Sequence, residues 1–122
     1  MTLVDTSVWV DHFRKDDEDL LDLLAGNAVF AHPFVIGEIA LGSLRNRRAV
    51  LASLHDLPQA PLATDEEVLR LVESRTLFGS GIGYIDAHLL ASALLSGSGF
   101  WTRDKRLSSV ASAIGLAVRD PH

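Results

Sequence analysis

The feature that most limits how this chain can fold is an alternation. Short apolar runs rich in β-branched or aromatic residues recur between longer stretches of helical period. Runs of that kind suit strands buried on both faces, and the helical stretches between them supply the crossovers that parallel pairing requires. Five strands are predicted, over Thr2–Val4, Ala28–Ala31, Ala60–Leu62, Gly99–Thr102 and Leu116–Val118. Helix signals fall between them. Asp16, Asp17 and Glu18 stand where a helix N-terminus favours acid, and Gly26 is placed to end that helix. Pro33 suits a first helical position, Thr64 followed by Asp65, Glu66 and Glu67 resembles a capping box, and Gly79-Ser80-Gly81-Ile82-Gly83 makes a flexible joint before the next helix. The expected fold class is α/β, a single domain over residues 1–122 with helices on both faces of a parallel sheet.

Composition excludes several classes of function. Without cysteine there are no disulfides, no thiolate zinc sites and no cysteine nucleophile. Eleven Lys plus Arg against sixteen Asp plus Glu give a net charge of -5, which argues against a chain built mainly as a basic nucleic-acid clamp but leaves a local site open. The first residues carry no basic segment, and no apolar run reaches membrane-spanning length, since Asp86, His88 and Ser92 interrupt the longest candidate. The chain reads as cytoplasmic, with no membrane partner.

Most of the carboxylates lie in polar surroundings and suit a solvated face; four do not. Asp5 follows the first apolar run, at the carboxyl end of a predicted buried strand, where open α/β sheets bind their ligands. Its alternative is a cap for the following helix, shared with Thr6 and Ser7. Glu38 has Phe34, Val35, Leu41 and Gly42 three and four positions away, an apolar helix face on which an unpaired carboxylate is costly to bury. Asp86 repeats that setting among Ile82, Gly83, Leu89 and Leu90, and it is also expected in the first turn of a helix, where the dipole favours negative charge. Asp104 follows Phe100-Trp101-Thr102-Arg103, again past a strand end, with a helix cap as its simpler role. Two acids at strand ends and two on inward helix faces can meet in one crevice. Carboxylates packed that closely repel, and a divalent cation resolves the repulsion. An all-oxygen donor set favours Mg²⁺ or Mn²⁺ over zinc, and such an ion supports phosphodiester hydrolysis.

In order and spacing, Val4-Asp5-Thr6-Ser7-Val8-Trp9, the Glu38 helix, Gly83-Tyr84-Ile85-Asp86-Ala87 and Trp101-Thr102-Arg103-Asp104 resemble the four motifs of PIN-domain ribonucleases, and among them VapC-type toxins of toxin-antitoxin modules. Each motif alone is weak; four in order across nearly the whole chain are specific. The resemblance implies a three-layer α/β/α sandwich with a five-stranded parallel sheet in the order 3-2-1-4-5. It implies that Asp5, Glu38, Asp86 and Asp104 hold one or two Mg²⁺ or Mn²⁺ ions, directly or through water, and that a metal-activated water cleaves structured RNA such as tRNA or rRNA. Asp5 and Asp86 are then the main metal-binding residues, Glu38 orders or deprotonates a metal-bound water, and Asp104 acts through water. Thr6 and Thr102 match hydroxyl positions that support the acids. Leu107, Ser108 and Ser109 follow Asp104 where some relatives carry a further acid, which weakens the case for a second ion. The same resemblance implies a homodimer, inhibition by a VapB-like antitoxin, and contact with operator DNA only through that antitoxin.

RNA needs positive charge near the acids. Arg45, Arg47 and Arg48 follow the Glu38 helix, and Arg103, Lys105 and Arg106 surround Asp104; surface salt bridges are their alternative use. Trp9, Phe13, Tyr84 and Trp101 could stack on bases, with core or dimer packing as the ordinary role. A receiver-type phosphoacceptor domain needs an acid pair near the first strand, and a haloacid-dehalogenase-type phosphatase needs Asp-x-Asp there; Asp5-Thr6-Ser7 supplies neither. The remaining alternative is a non-catalytic RNA- or protein-binding module of the same fold. Setting the four acids aside leaves the rest of the chain close to neutral, so the acidic balance does not oppose an RNA substrate.

Overall fold

A computed structural model describes all 122 residues, Met1 to His122. In chain order the elements are β1 (Thr2–Val4), α1 (Thr6–Arg14), α2 (Glu18–Ala25), β2 (Val29–Phe30), α3 (Pro33–Leu41), α4 (Arg47–Asp56), α5 (Asp65–Ser74), α6 (Tyr84–Ser96), β3 (Gly99–Trp101) and α7 (Lys105–Ala113). The sheet runs β2-β1-β3 and is parallel throughout. Thr2 lies opposite Val29 and Gly99, and Val4 opposite Trp101. Leu3 and Val4 are both fully buried although they point to opposite faces, as a central strand covered on two sides requires.

The sheet has three strands, not the five predicted. Each outer run is reduced to one parallel bridge, Ala31 with Gln59 beside β2 and Phe100 with Val118 beside β3. Around the first bridge, Ala31 N–H donates to Pro58 O and Ala60 N–H to Ala31 O, each at 2.8 Å. Pro61 then has no N–H with which to continue the ladder. On the other edge Phe100 N–H donates to Ala117 O at 2.8 Å, and a Cβ on Gly99 would stand 3.2 Å from that same carbonyl, so only glycine allows the approach without a shift. The two bridges lie where the outer strands of the expected order would lie.

The helix signals are realised closely. Asp17 caps α2 by accepting from Leu20 N–H, Pro33 opens α3, and Thr64 and Glu67 form a reciprocal capping box on α5. Helices α1, α3 and α4 pack on one another, α5 packs on α6, and α6 rests on β1 and β3. The chain crosses the sheet one way from β1 through β2 to the Gln59 bridge and the other way on its return to β3, and the right-handed rule for parallel crossovers places these groups on opposite faces of the sheet. Helix α6 is buried continuously from Ala87 to Ala93, including the His88 and Ser92 face. There His32, fully buried, accepts from Phe34 N–H at Nδ1 (3.0 Å), which leaves Nε2–H to donate to Ser92 Oγ at 3.0 Å. Its ring nitrogen thus caps α3. Burial, helped by the nearby His88, pushes the His32 pKa down to about 4.

Candidate active site

The register of β1 on β3 builds the site. Because Val4 pairs with Trp101 and Asp5 N–H donates to Trp101 O at 2.9 Å, the residue after β1 meets the residue after β3. Asp5 holds the N-cap position of α1 yet its side chain caps nothing. Instead Oδ2 accepts from Ser7 Oγ and from Thr102 Oγ1, both at 2.8 Å. The two hydroxyls also accept: Arg103 N–H donates to Ser7 Oγ at 2.9 Å and Asp104 N–H to Thr102 Oγ1 at 3.1 Å. Asp5 and Thr102 are buried, so this web fixes the carboxylate and leaves Oδ1 without a hydrogen bond. The Asp5 carboxylate is thus held in place by two hydroxyls and does not cap α1.

The other acids are supported more lightly. Asp86, half-buried in the first turn of α6, accepts from Gly83 N–H at 3.0 Å. Asp104 is exposed and caps α7, its Oδ1 accepting from Leu107 N–H at 3.1 Å. Glu38 departs from expectation. The buried face of α3 is Val35, Ile36 and Ile39, whereas Leu41 is 91% exposed, so Glu38 stands at the edge of the core, with Val35 buried on one side and Leu41 open to solvent on the other. Glu38 accepts from Thr6 Oγ1 at 2.9 Å. Thr6 and Thr102 therefore support Glu38 and Asp5 respectively. Ser7, which carries as much of the Asp5 web as Thr102, was visible in sequence only as a possible cap; its role depends on β3 lying alongside.

Electrostatically the four acids form one set. Partial desolvation pushes the Glu38 carboxyl above the usual range, the Thr6 hydrogen bond pulls it back, and the charges of Asp5 and Asp86 raise it further. Desolvation likewise raises Asp86, against the Gly83 N–H and together with the charges of Asp5 and Asp104. No Lys or Arg relieves either group. No three acidic or histidine side chains stand close enough to share one ion as they are placed. In donor chemistry the set still fits a hard divalent cation: all oxygen, mutually repelling, without a compensating cation, and with a free oxygen on the best-held member.

The candidate RNA-facing cations differ among themselves. Arg45, Arg48, Lys105 and Arg106 are exposed. Arg47 donates twice to Ala40 O, at 2.8 and 3.0 Å, near the end of α3. Arg103 is committed inside the protein, paired with Asp17 at 2.6 Å and Asp11 at 3.1 Å and lying 5.2 Å from the Trp101 ring centroid. Trp9 and Trp101 are buried core residues, and Tyr84 is 48% exposed. No helix is long and apolar enough to cross a membrane.

Comparison with known proteins agrees with this geometry. The family profile of the PIN domain matches residues 2–113. Ribonuclease VapC32 of Mycobacterium tuberculosis (strain ATCC 25618 / H37Rv) is 49% identical over 121 residues, covering 98% of each chain. Among solved structures, FitAcB from Neisseria gonorrhoeae superposes with a TM-score of 0.64 at 21% identity, covering 99% of this chain and 98% of that one. FitAB bound to an IR36 DNA fragment gives 0.63 at 20% identity, covering 99% and 95%. These two likenesses speak to the fold alone. With the profile spanning nearly the whole sequence and the mycobacterial relative so close, the chain belongs to the PIN-domain family.

Proposed function

We propose that this chain is the toxin of a VapBC-type module, a metal-dependent endoribonuclease that hydrolyses phosphodiester bonds in structured RNA in the cytoplasm. The observation that carries the reading is Asp5: buried, one oxygen held by two hydroxyls, the other free, and within Coulombic reach of Glu38 and Asp86. The 49% identity to a protein named as a ribonuclease supports the same reaction. Asp5 and Asp86 are the residues to hold Mg²⁺ or Mn²⁺, with Asp104 acting through water.

A divalent ion held by these residues would supply Lewis acidity, to polarise a phosphoryl oxygen and lower the pKa of water. The chain's own contribution is placement and proton handling. Ser7 and Thr102 fix the Asp5 carboxylate so that it need not reorganise during the reaction. Glu38, with its pKa raised, can take up a proton closer to neutral pH than an ordinary carboxylate, and the Thr6 hydroxyl orients it. The exposed Arg45, Arg48, Lys105 and Arg106 supply phosphate contacts. Arg47 adds a further charge, and Arg103 joins it only by leaving its two aspartates. The partners are a VapB-like antitoxin and a second copy of the chain, with operator DNA reached through the antitoxin.

The test is a pulse of expression followed by sequencing of cellular RNA 5′ ends. The parent should arrest growth and produce discrete new ends, and Asp5→Asn and Asp86→Asn should do neither. Retention of parental cleavage by both variants overturns the assignment of the acid site.

A further inference from the structure

A groove of about 210 Å³ opens at the start of α6, the helix whose first turn carries Asp86. Leu77, Phe78, Ile82 and Tyr84 are among the residues that line it. Leu77 is buried and anchors the segment, but Phe78 is 62% exposed and Tyr84 48% exposed. Two aromatic rings left this open, Phe78 on the loop and Tyr84 at the start of α6, gain little from the core. Tyr84 is nonetheless held in place. Its hydroxyl donates to Asp65 Oδ1 at 2.9 Å, and its ring meets the His88 imidazole at 89° with centroids 4.7 Å apart. His88 Nε2 reaches the same Asp65 oxygen at 3.1 Å, so the ring stands on a braced support and loses little further freedom when something binds.

The loop that borders the groove carries a charge on its flank, outside the lining itself. Gly79 and Gly81 adopt φ of 75° and 86°, and the Arg106 side chain packs where a Cβ on Gly81 would stand. Arg106 is exposed and makes no ion pair. A rigid open tyrosine, a second open ring and an unpaired guanidinium together suit a nucleotide better than an apolar protein side chain, because unpaired bases stack on aromatic rings while arginine takes the phosphate. A cavity of roughly 150 Å³ is enough for one benzene ring, so the space matches a single base.

We infer that this groove receives one unpaired nucleobase of the RNA substrate, stacked on Tyr84 and Phe78 with Arg106 on the adjoining phosphate, and so selects the sequence near the cut. The inference rests on the ribonuclease reading. Tyr84 and Asp86 share the first turn of α6, which keeps the base close to the acids along the RNA.

The test uses the full chain and RNA substituted with 4-thiouridine. Ultraviolet cross-linking to the Asp86→Asn variant should label the peptide containing Phe78 and Tyr84. With the active chain, Tyr84→Ala should raise KM for RNA cleavage by roughly five- to a hundredfold and change kcat less. Tyr84→Phe, which keeps the ring and loses the Asp65 bond, should restore most of that affinity, and Phe78→Ser should act in the same direction as Tyr84→Ala. Cross-links that fall elsewhere, or parental KM in both Tyr84→Ala and Phe78→Ser, overturn the inference. So does conversion of a dimer to a monomer by these variants, which makes the groove a contact between copies. The ribonuclease reading fails separately, if the parent chain itself produces no new RNA ends.

Discussion

Asp5 and Glu38 belong to one electrostatic set but are supported in opposite ways. Asp5 lies buried between the ends of two paired strands, its Oδ2 held by Ser7 and Thr102, and those hydroxyls are in turn fixed by the backbone of Arg103 and Asp104. Glu38 lies on an open rim of α3 with one hydroxyl contact, from Thr6, and with neighbouring charges that disfavour its ionisation. Position is fixed by the sheet at Asp5, whereas at Glu38 protonation is left adjustable. The proposed metal-dependent hydrolysis, which must place a ligand and also move a proton, would use one group of each kind.

The sharpest way to break this contrast is at the acids themselves. Asp5→Asn keeps the shape and the hydroxyl contacts but removes the charge, and RNA cleavage should fall by more than about a hundredfold, beyond the effect typical of a supporting residue. Next comes the support. Thr102→Val removes a buried donor to Asp5, so cleavage should drop by roughly ten- to a hundredfold, and urea unfolding should show a loss of about 1–3 kcal/mol. A Thr102→Val chain with parental activity would mean that the web is structural only. Glu38→Gln should reduce cleavage yet raise the melting temperature slightly at neutral pH. The sign follows from the raised pKa. The folded chain holds that proton more tightly than the unfolded chain, so this contribution to stability is complete below the ordinary carboxylate range and is lost as pH rises through the folded value. The gain in the variant should therefore vanish at acid pH.

The smallest expected effect on cleavage is at His32, whose part in stability separates the two supports by pH. His32 caps the helix that carries Glu38, through a nitrogen that must stay unprotonated. With its pKa at about 4 in the fold and 6.5 as a reference, the unfolded chain takes up a proton that the folded chain refuses as pH falls from 6.5 towards 4. Stability should decline across that window by up to about 3 kcal/mol. His32→Asn, which retains a capping acceptor, should flatten the decline in urea titrations.

The legible parts of this structure are those set by local chemistry. A strand of Leu3 and Val4 with Asp5 at its end, the Asp17 and Thr64 caps, and Pro33 at a first helical position all follow from neighbours in sequence. What sequence hid was cooperative. Ala60–Leu62 reads as a strand until Pro61 is asked to donate a hydrogen bond, and Leu116–Val118 reads as one although only Val118 pairs. Glu38 looked core-facing because Leu41 and Phe34 are apolar, yet Leu41 is almost fully exposed. Arg103 looked like a phosphate ligand beside Asp104, and only the packing of α1 and α2 reveals the aspartates that hold it. Ser7 could be assigned its partner only once β1 and β3 were known to pair.

The single-bridge edges of the sheet bear on how copies of this protein behave at high concentration. An exposed β-edge is a template for another chain, and long flat edges invite ordered aggregation. Here each edge ends in one bridge, with prolines at 58 and 61 on one side and a glycine-dependent approach at Gly99 on the other. Little backbone remains in line to recruit a further strand. Coalescence through the sheet is thereby disfavoured even at high concentration, and any contact between copies is left to helical surfaces, where side chains choose the partner.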